Sequence, residues 1–86
     1  MNKIVNLYDK NTGQSVGQLF LYDVPNQKYS FNNEKGEQIG QAIVKNPEII
    51  IQNNKGQDIY KGQFHGNRID FLSLERKTNI YGIKLD

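Results

Sequence analysis

The residue types that could act as a catalyst lie close together late in the chain: His65, Asp70 and Ser73. A histidine base needs a nucleophile within hydrogen-bond reach and a carboxylate to orient its ring. All three types are present, but at no spacing that matches such an arrangement. His65 stands beside Gly66 in turn-like sequence, so a surface or turn histidine is expected. Asp70 interrupts an apolar run and shares one side of an extended chain with Arg68 and Leu72. A half-buried carboxylate paired to Arg68, or to a lysine of a neighbouring strand, is the corresponding expectation. Asp9, Asp23, Glu34, Glu37, Glu48, Asp58 and Glu75 fall at predicted strand ends or turns, where carboxylates solvate or form local bonds.

The chain has no cysteine and one histidine. That excludes a disulfide framework, a thiolate metal site and a cysteine nucleophile, and no metal or cofactor is expected. Gly36-Glu37-Gln38-Ile39-Gly40 spaces two glycines four apart, but no Lys-Ser or Lys-Thr and no helix follow, so it is not a phosphate cradle.

Aromatic and basic residues are better represented, with five tyrosines, four phenylalanines and 11 lysines and arginines. Lys61, Arg68, Arg76, Lys77 and Lys84 gather in the last third of the chain. Single-strand nucleic-acid binders place aromatics on a sheet face among positive charges. Asp58, Asp70, Glu75 and Asp86 offset these cations, and the net charge is only +2. The candidate contact residues are Lys61, Arg68, Arg76, Lys77, Tyr60 and Phe64, for a partner protein first and for nucleic acid second. Within them, Ile59-Tyr60-Lys61-Gly62-Gln63-Phe64-His65-Gly66-Asn67 resembles the Tyr-x-Gly-x-Phe core of a MORN repeat, itself a β-hairpin. The resemblance covers one unit of the chain and implies association with a membrane or a partner.

The elements that must position these residues are strands. Three stretches repeat one plan: Gly13-Gln14-Ser15-Val16-Gly17-Gln18, Gly36-Glu37-Gln38-Ile39-Gly40-Gln41, and Gly56-Gln57-Asp58-Ile59-Tyr60-Lys61-Gly62-Gln63. In each, a turn glycine releases a strand that carries a second glycine and then a glutamine. Turn chemistry divides the chain into segments at Lys3–Asp9, Ser15–Asp23, Lys28–Asn32, Gln38–Lys45, Ile49–Asn53, Asp58–Phe64, Arg68–Glu75 and Ile80–Leu85. Val24-Pro25-Asn26-Gln27 and Asn46-Pro47 mark two of the breaks. The β-branched and aromatic runs are short, and glycine recurs too often for a helix.

The expected fold is all-β: one domain over 1–86, an antiparallel meander of about eight short strands in four tandem hairpins. Such a meander closes into a small barrel or folds into a two-layer sandwich. Alternation identifies the core only partly. Ile49, Ile50 and Ile51 put apolar groups on both faces of one strand, and bulges or a second apolar patch would account for that. The isoleucine run followed by Gln52-Asn53-Asn54 is an aggregation hazard, so this strand is expected to be paired on both sides.

Apolar residues make up 36% of the chain, against 19 asparagines and glutamines. The N-terminal residues lack the apolar run of a signal peptide and no segment reaches transmembrane length, so a cytoplasmic protein with no membrane partner is expected. The functional expectation is a non-enzymatic binding module. It acts by protein–protein contact or self-association, as a bacterial or phage-type inhibitor of a partner enzyme would. The alternative is a nucleic-acid-binding barrel that uses the basic face of the last two hairpins.

Overall fold

The computed structural model describes residues 3–21, 28–45 and 47–85. They form β1 (Lys3–Asp9), β2 (Ser15–Leu21), β3 (Lys28–Asn32), β4 (Gln38–Lys45), β5 (Glu48–Asn53), β6 (Asp58–His65), β7 (Arg68–Ser73) and β8 (Ile80–Leu85). Each strand runs antiparallel to the next, and β8 returns to pair with β1, so the meander is a closed barrel. The seam runs in register from Ile4 opposite Leu85 to Asp9 opposite Ile80. Closure decides between the two architectures that composition left open, and it gives each of the eight strands a partner on both sides. Among the described residues there is no helix, hence none long and apolar enough to cross a membrane.

Strand boundaries differ from expectation in small ways. β5 begins at Glu48 and β6 runs on through His65, while β7 stops at Ser73. Leu74 and Glu75 therefore belong to the last turn, where Arg76 takes a positive φ of 58°. That turn has no glycine, and an arginine occupies the left-handed conformation instead. Tyr22, Asp23, the turn Val24–Gln27 and Asn46 lie outside the described residues.

Period-two alternation fills the barrel. Val5, Leu7, Leu19, Phe31, Ala42, Ile49, Ile51, Ile69, Phe71 and Ile80 point inward and are buried, each large side chain stabilising the fold by about 1.5–3 kcal/mol. The isoleucine run resolves by alternation alone. Ile49 and Ile51 are core, and Ile50 lies half-buried on the outer wall. β5 is paired on both sides, by β4 and β6, which sequesters its backbone.

The four strand-interior glycines, Gly17, Gly40, Gly62 and Gly82, also face inward, each across from a large core residue. Gly17 and Gly82 lie on either side of Leu7, Gly40 beside Phe31, and Gly62 between Ile49 and Phe71. Small beside large is how a narrow barrel fits its side chains. Their stations are not all equivalent, however. In the first two hairpins the glycine stands next to the bulge, opposite Leu7 and Phe31; in the third, Tyr60 holds that station opposite Ile51, and Gly62 comes two residues later. Gly82, opposite Ile69, matches Gly62 rather than Gly17.

A bulge flanks the turn in each of the first three hairpins: the register shifts at Leu7/Tyr8, Phe31/Asn32 and Ile51/Gln52, and the extra residue is Val16, Ile39 or Ile59 on the strand that leaves the turn. The extra residue increases local twist, which a sheet needs in order to curl onto itself. In the turns themselves Gly36 and Gly56 adopt φ of 84° and 79°, and each donates its N–H to the carbonyl three residues back, on Asn33 and Asn53.

Candidate interaction surface

The barrel wall separates the residues that chemistry would need together. His65 and Asp70 point outward, on adjacent strands, and line a shallow depression of about 420 Å³ with Lys61, Gly62, Gln63 and Leu72. Ser73 falls on the inward side, across from Tyr60, and its hydroxyl accepts from the Lys77 backbone N–H. No nucleophile–base pair forms. Among the described residues no hydrogen bond joins the imidazole to the carboxylate. Asp70 Oδ1 instead meets Lys10 Nζ at 3.1 Å and Arg68 Nε at 3.1 Å. Partial burial pushes the Asp70 carboxyl up, but hydrogen bonds and charge from Lys10 and Arg68 outweigh it and hold the group below the ordinary aspartate range. The paired carboxylate expected from sequence is present, with Lys10 of the first turn as its second cation.

The Arg68 guanidinium also lies over the Tyr81 ring, 4.4 Å from its centroid, and Tyr81 packs against Tyr8 at 5.4 Å. Arg68 is therefore held by a carboxylate on one side and an aromatic face on the other.

The six candidate contact residues do not share one face. Lys61 and Arg68 are on the outer wall, with Lys61 Nζ 3.9 Å from Glu48 Oε2. Arg76 and Lys77 follow the far end of β7 from Arg68, and Lys77 Nζ is 3.9 Å from Glu75 Oε1. Tyr60 and Phe64 turn the other way and pack against the core, Tyr60 edge-on to Phe71 at 6.4 Å between centroids. Sequence proximity grouped them with Lys61, but strand alternation separates them. Burial, then the negative charges of Glu75 and Asp9, raise the Tyr60 hydroxyl pKa above its usual value.

The outer wall holds a feature that no single segment displays. Following the register across four strands, Ile43 lies beside Ile50, Ile50 beside Lys61, and Lys61 beside Leu72. Leu72 is 60% exposed, and Leu74, which continues its side of the chain, is 50% exposed. The next row along the strands reads Lys45, Glu48, Gln63, Asp70. An aliphatic row thus runs alongside a row of mixed charge over β4, β5, β6 and β7. The signal for it is the phase of alternation once Ile49, Ile51, Ile69 and Phe71 are taken as inward.

No protein-family model, curated protein or solved structure matches the chain.

Proposed function

We propose that the protein is a small non-enzymatic binding module that works by protein–protein contact or self-association through the outer face of β4–β7. The observation that carries this reading is the row Ile43–Ile50–Lys61–Leu72, apolar material set outside a barrel whose core is already filled. Burying such side chains against a partner gains free energy that folding has not used. A stoichiometric inhibitor of a partner enzyme, bacterial or phage-type, is the form of action that suits a chain of this size. Binding to nucleic acid is less well supported, because Lys61, Arg68 and Lys77 each stand beside a carboxylate. Elution from heparin below about 100 mM salt is expected on that account.

The test compares immobilised wild-type protein with Leu72→Asp and Ile50→Asp in a bacterial lysate, at low and high salt. A retained protein that depends on Leu72, or recovery of the free chain itself, supports the reading. Wild type and both variants retaining the same proteins, or none, at either salt would overturn it.

A further inference from the structure

We infer that Arg68 is a preset clamp for a carboxylate of a partner protein, and that the partner's segment runs along β7 from Arg68 to Leu72. This deepens the binding-module reading, on which it rests, by naming the partner's chemistry.

The Arg68 guanidinium is held on two sides. Nε lies 3.1 Å from Asp70 Oδ1, and Cζ stands 4.4 Å from the Tyr81 ring centroid. Tyr81 is itself braced by Tyr8 on β1, 5.4 Å away. These contacts fix the plane of the group and use its Nε–H. The Nη1–Nη2 edge lies across Cζ from Nε, and among the described residues it has no hydrogen-bond or ion-pair partner. With the side chain 48% exposed, that edge is within a partner's reach. Its two parallel N–H groups match a carboxylate. An arginine already locked in direction gives up less rotamer freedom on binding than a mobile one. Lys61 and Lys77 are more exposed and meet their carboxylates only at 3.9 Å, so neither aims its donors in this way.

Charge selects among anions. Lys10 and Arg68 both engage Asp70 Oδ1, so this cluster of two cations and one carboxylate carries one surplus positive charge. A partner's carboxylate balances that charge. A phosphate dianion would leave one negative charge unbalanced beside Asp70.

Direction comes from β7 itself. Leu72 follows Arg68 on the same side of the strand, four residues and about 13 Å away. A line along one strand follows the wall lengthwise and escapes the curvature that parts strands around the barrel, so one extended segment reaches both residues. Leu72 is 60% exposed and borders the shallow depression shared with β6, which seats an apolar side chain. The partner therefore presents an acidic side chain and an apolar one at that same separation.

The chain has two arginines, and Arg76, in the exposed last turn, serves as an internal control. In nitrogen-15 NMR of the free protein, the Arg68 Nε–H is expected to exchange slowly with water and to move on Tyr81→Leu, and the Arg76 signal to do neither. An Arg68 signal that exchanges as fast as that of Arg76 overturns the preset clamp, and this measurement on the wild type stands whether or not the variants fold.

A random peptide library displayed on phage and selected on the immobilised protein reads the partner's chemistry. Binders are expected to share an Asp or Glu four residues from an apolar side chain, and to be displaced by acetate rather than by inorganic phosphate at equal ionic strength. Arg68→Lys keeps the charge and removes the planar fork, and it should weaken these binders about tenfold or more, the effect of one charged hydrogen bond.

Binders without an acid, preferential displacement by phosphate, or a library that yields no binder overturns the carboxylate clamp. Binders that fail on Leu72→Asp yet hold Arg68→Lys at full strength sink the clamp and leave the binding-module reading standing. Binding indifferent to both substitutions sinks both.

Discussion

Asn33 and Asn53 hold their turns with the same three side-chain bonds. In each, Oδ1 accepts from the backbone N–H groups two and four residues on, at 2.9–3.0 Å, and Nδ2 donates to the side chain of that fourth residue, Glu37 or Gln57. Asp9 plays the same part in the longer first turn, where its Oδ1 accepts from Asn11 and Thr12. The repeat visible in sequence is therefore a repeated turn mechanism, with the acidic or amide residue as its organising group.

Replacing Asn33 or Asn53 by Ala removes two acceptor contacts to backbone N–H groups and is expected to cost about 1–2 kcal/mol each. The two turns share no partner, so the double variant should lose the sum to within about 0.5 kcal/mol. Asn→Asp keeps Oδ1 and should lose less. Urea midpoints of these variants decide it. Alanine variants indistinguishable from wild type would mean that water replaces these bonds at no cost.

Gly40→Ala tests how tightly the barrel is filled. A methyl group there runs into the Gln52 carbonyl oxygen, part of the backbone of the neighbouring strand, which cannot rotate away. At Gly82 the obstacles are Val5 Cγ1 at 2.6 Å and Leu7 Cδ2 at 3.0 Å, side chains that can repack. Overpacking generally costs about 1–3 kcal/mol. Gly40→Ala is expected at or above the top of that range and Gly82→Ala below it. Equal denaturation midpoints for the two variants would refute the distinction.

The strands were legible in sequence because turn residues and β-branched runs are local signals, and every strand core falls where they put it. Which way the sheet closes is not local. It depends on Ile80–Leu85 meeting Lys3–Asp9 across the whole chain, and no short stretch encodes that distance. The outer rows were hidden for a related reason. Ile43, Ile50, Lys61 and Leu72 belong to four segments, and only the register brings them into line. Tyr60 and Phe64 show the converse, since neighbours along a strand point to opposite faces and Lys61 therefore stands apart from them.

Ile51→Ala and Ile50→Ala form a matched pair one residue apart. Ile51 is fully buried, and its loss should cost about 2–5 kcal/mol. Ile50 is half-buried on the outer wall and should cost less than about 1.5 kcal/mol, measured in dilute solution. A reversed order would place β5 one residue out of register, which turns every side chain of the strand to the other face.

Asp70→Asn should lower stability at neutral pH by an amount that disappears in acid. The folded carboxyl titrates below the ordinary aspartate pKa of about 3.9, because Lys10 and Arg68 favour its charged form. That contribution is complete above the unfolded pKa and is lost as pH falls through the lower folded value. With the side chain 31% exposed, solvent screening keeps it modest. Urea midpoints at neutral pH and near pH 2 should differ between wild type and variant only at the former.

Tyr60 sets the complementary limit in alkali. Burial first, then Glu75 and Asp9, favour its neutral form, so its folded pKa lies above the unfolded value of about 10. Stability from the neutral phenol is complete below that value and is lost as pH rises through the folded pKa. Wild type should therefore weaken above about pH 10 more steeply than Tyr60→Phe, which cannot ionise yet keeps the ring against Phe71. Tyr60→Phe keeps the ring edge-on to Phe71, so neutral-pH stability should change little. An identical alkaline slope in the two proteins would show that Tyr60 ionises as freely as an exposed tyrosine, and that the end of the barrel where it sits admits water.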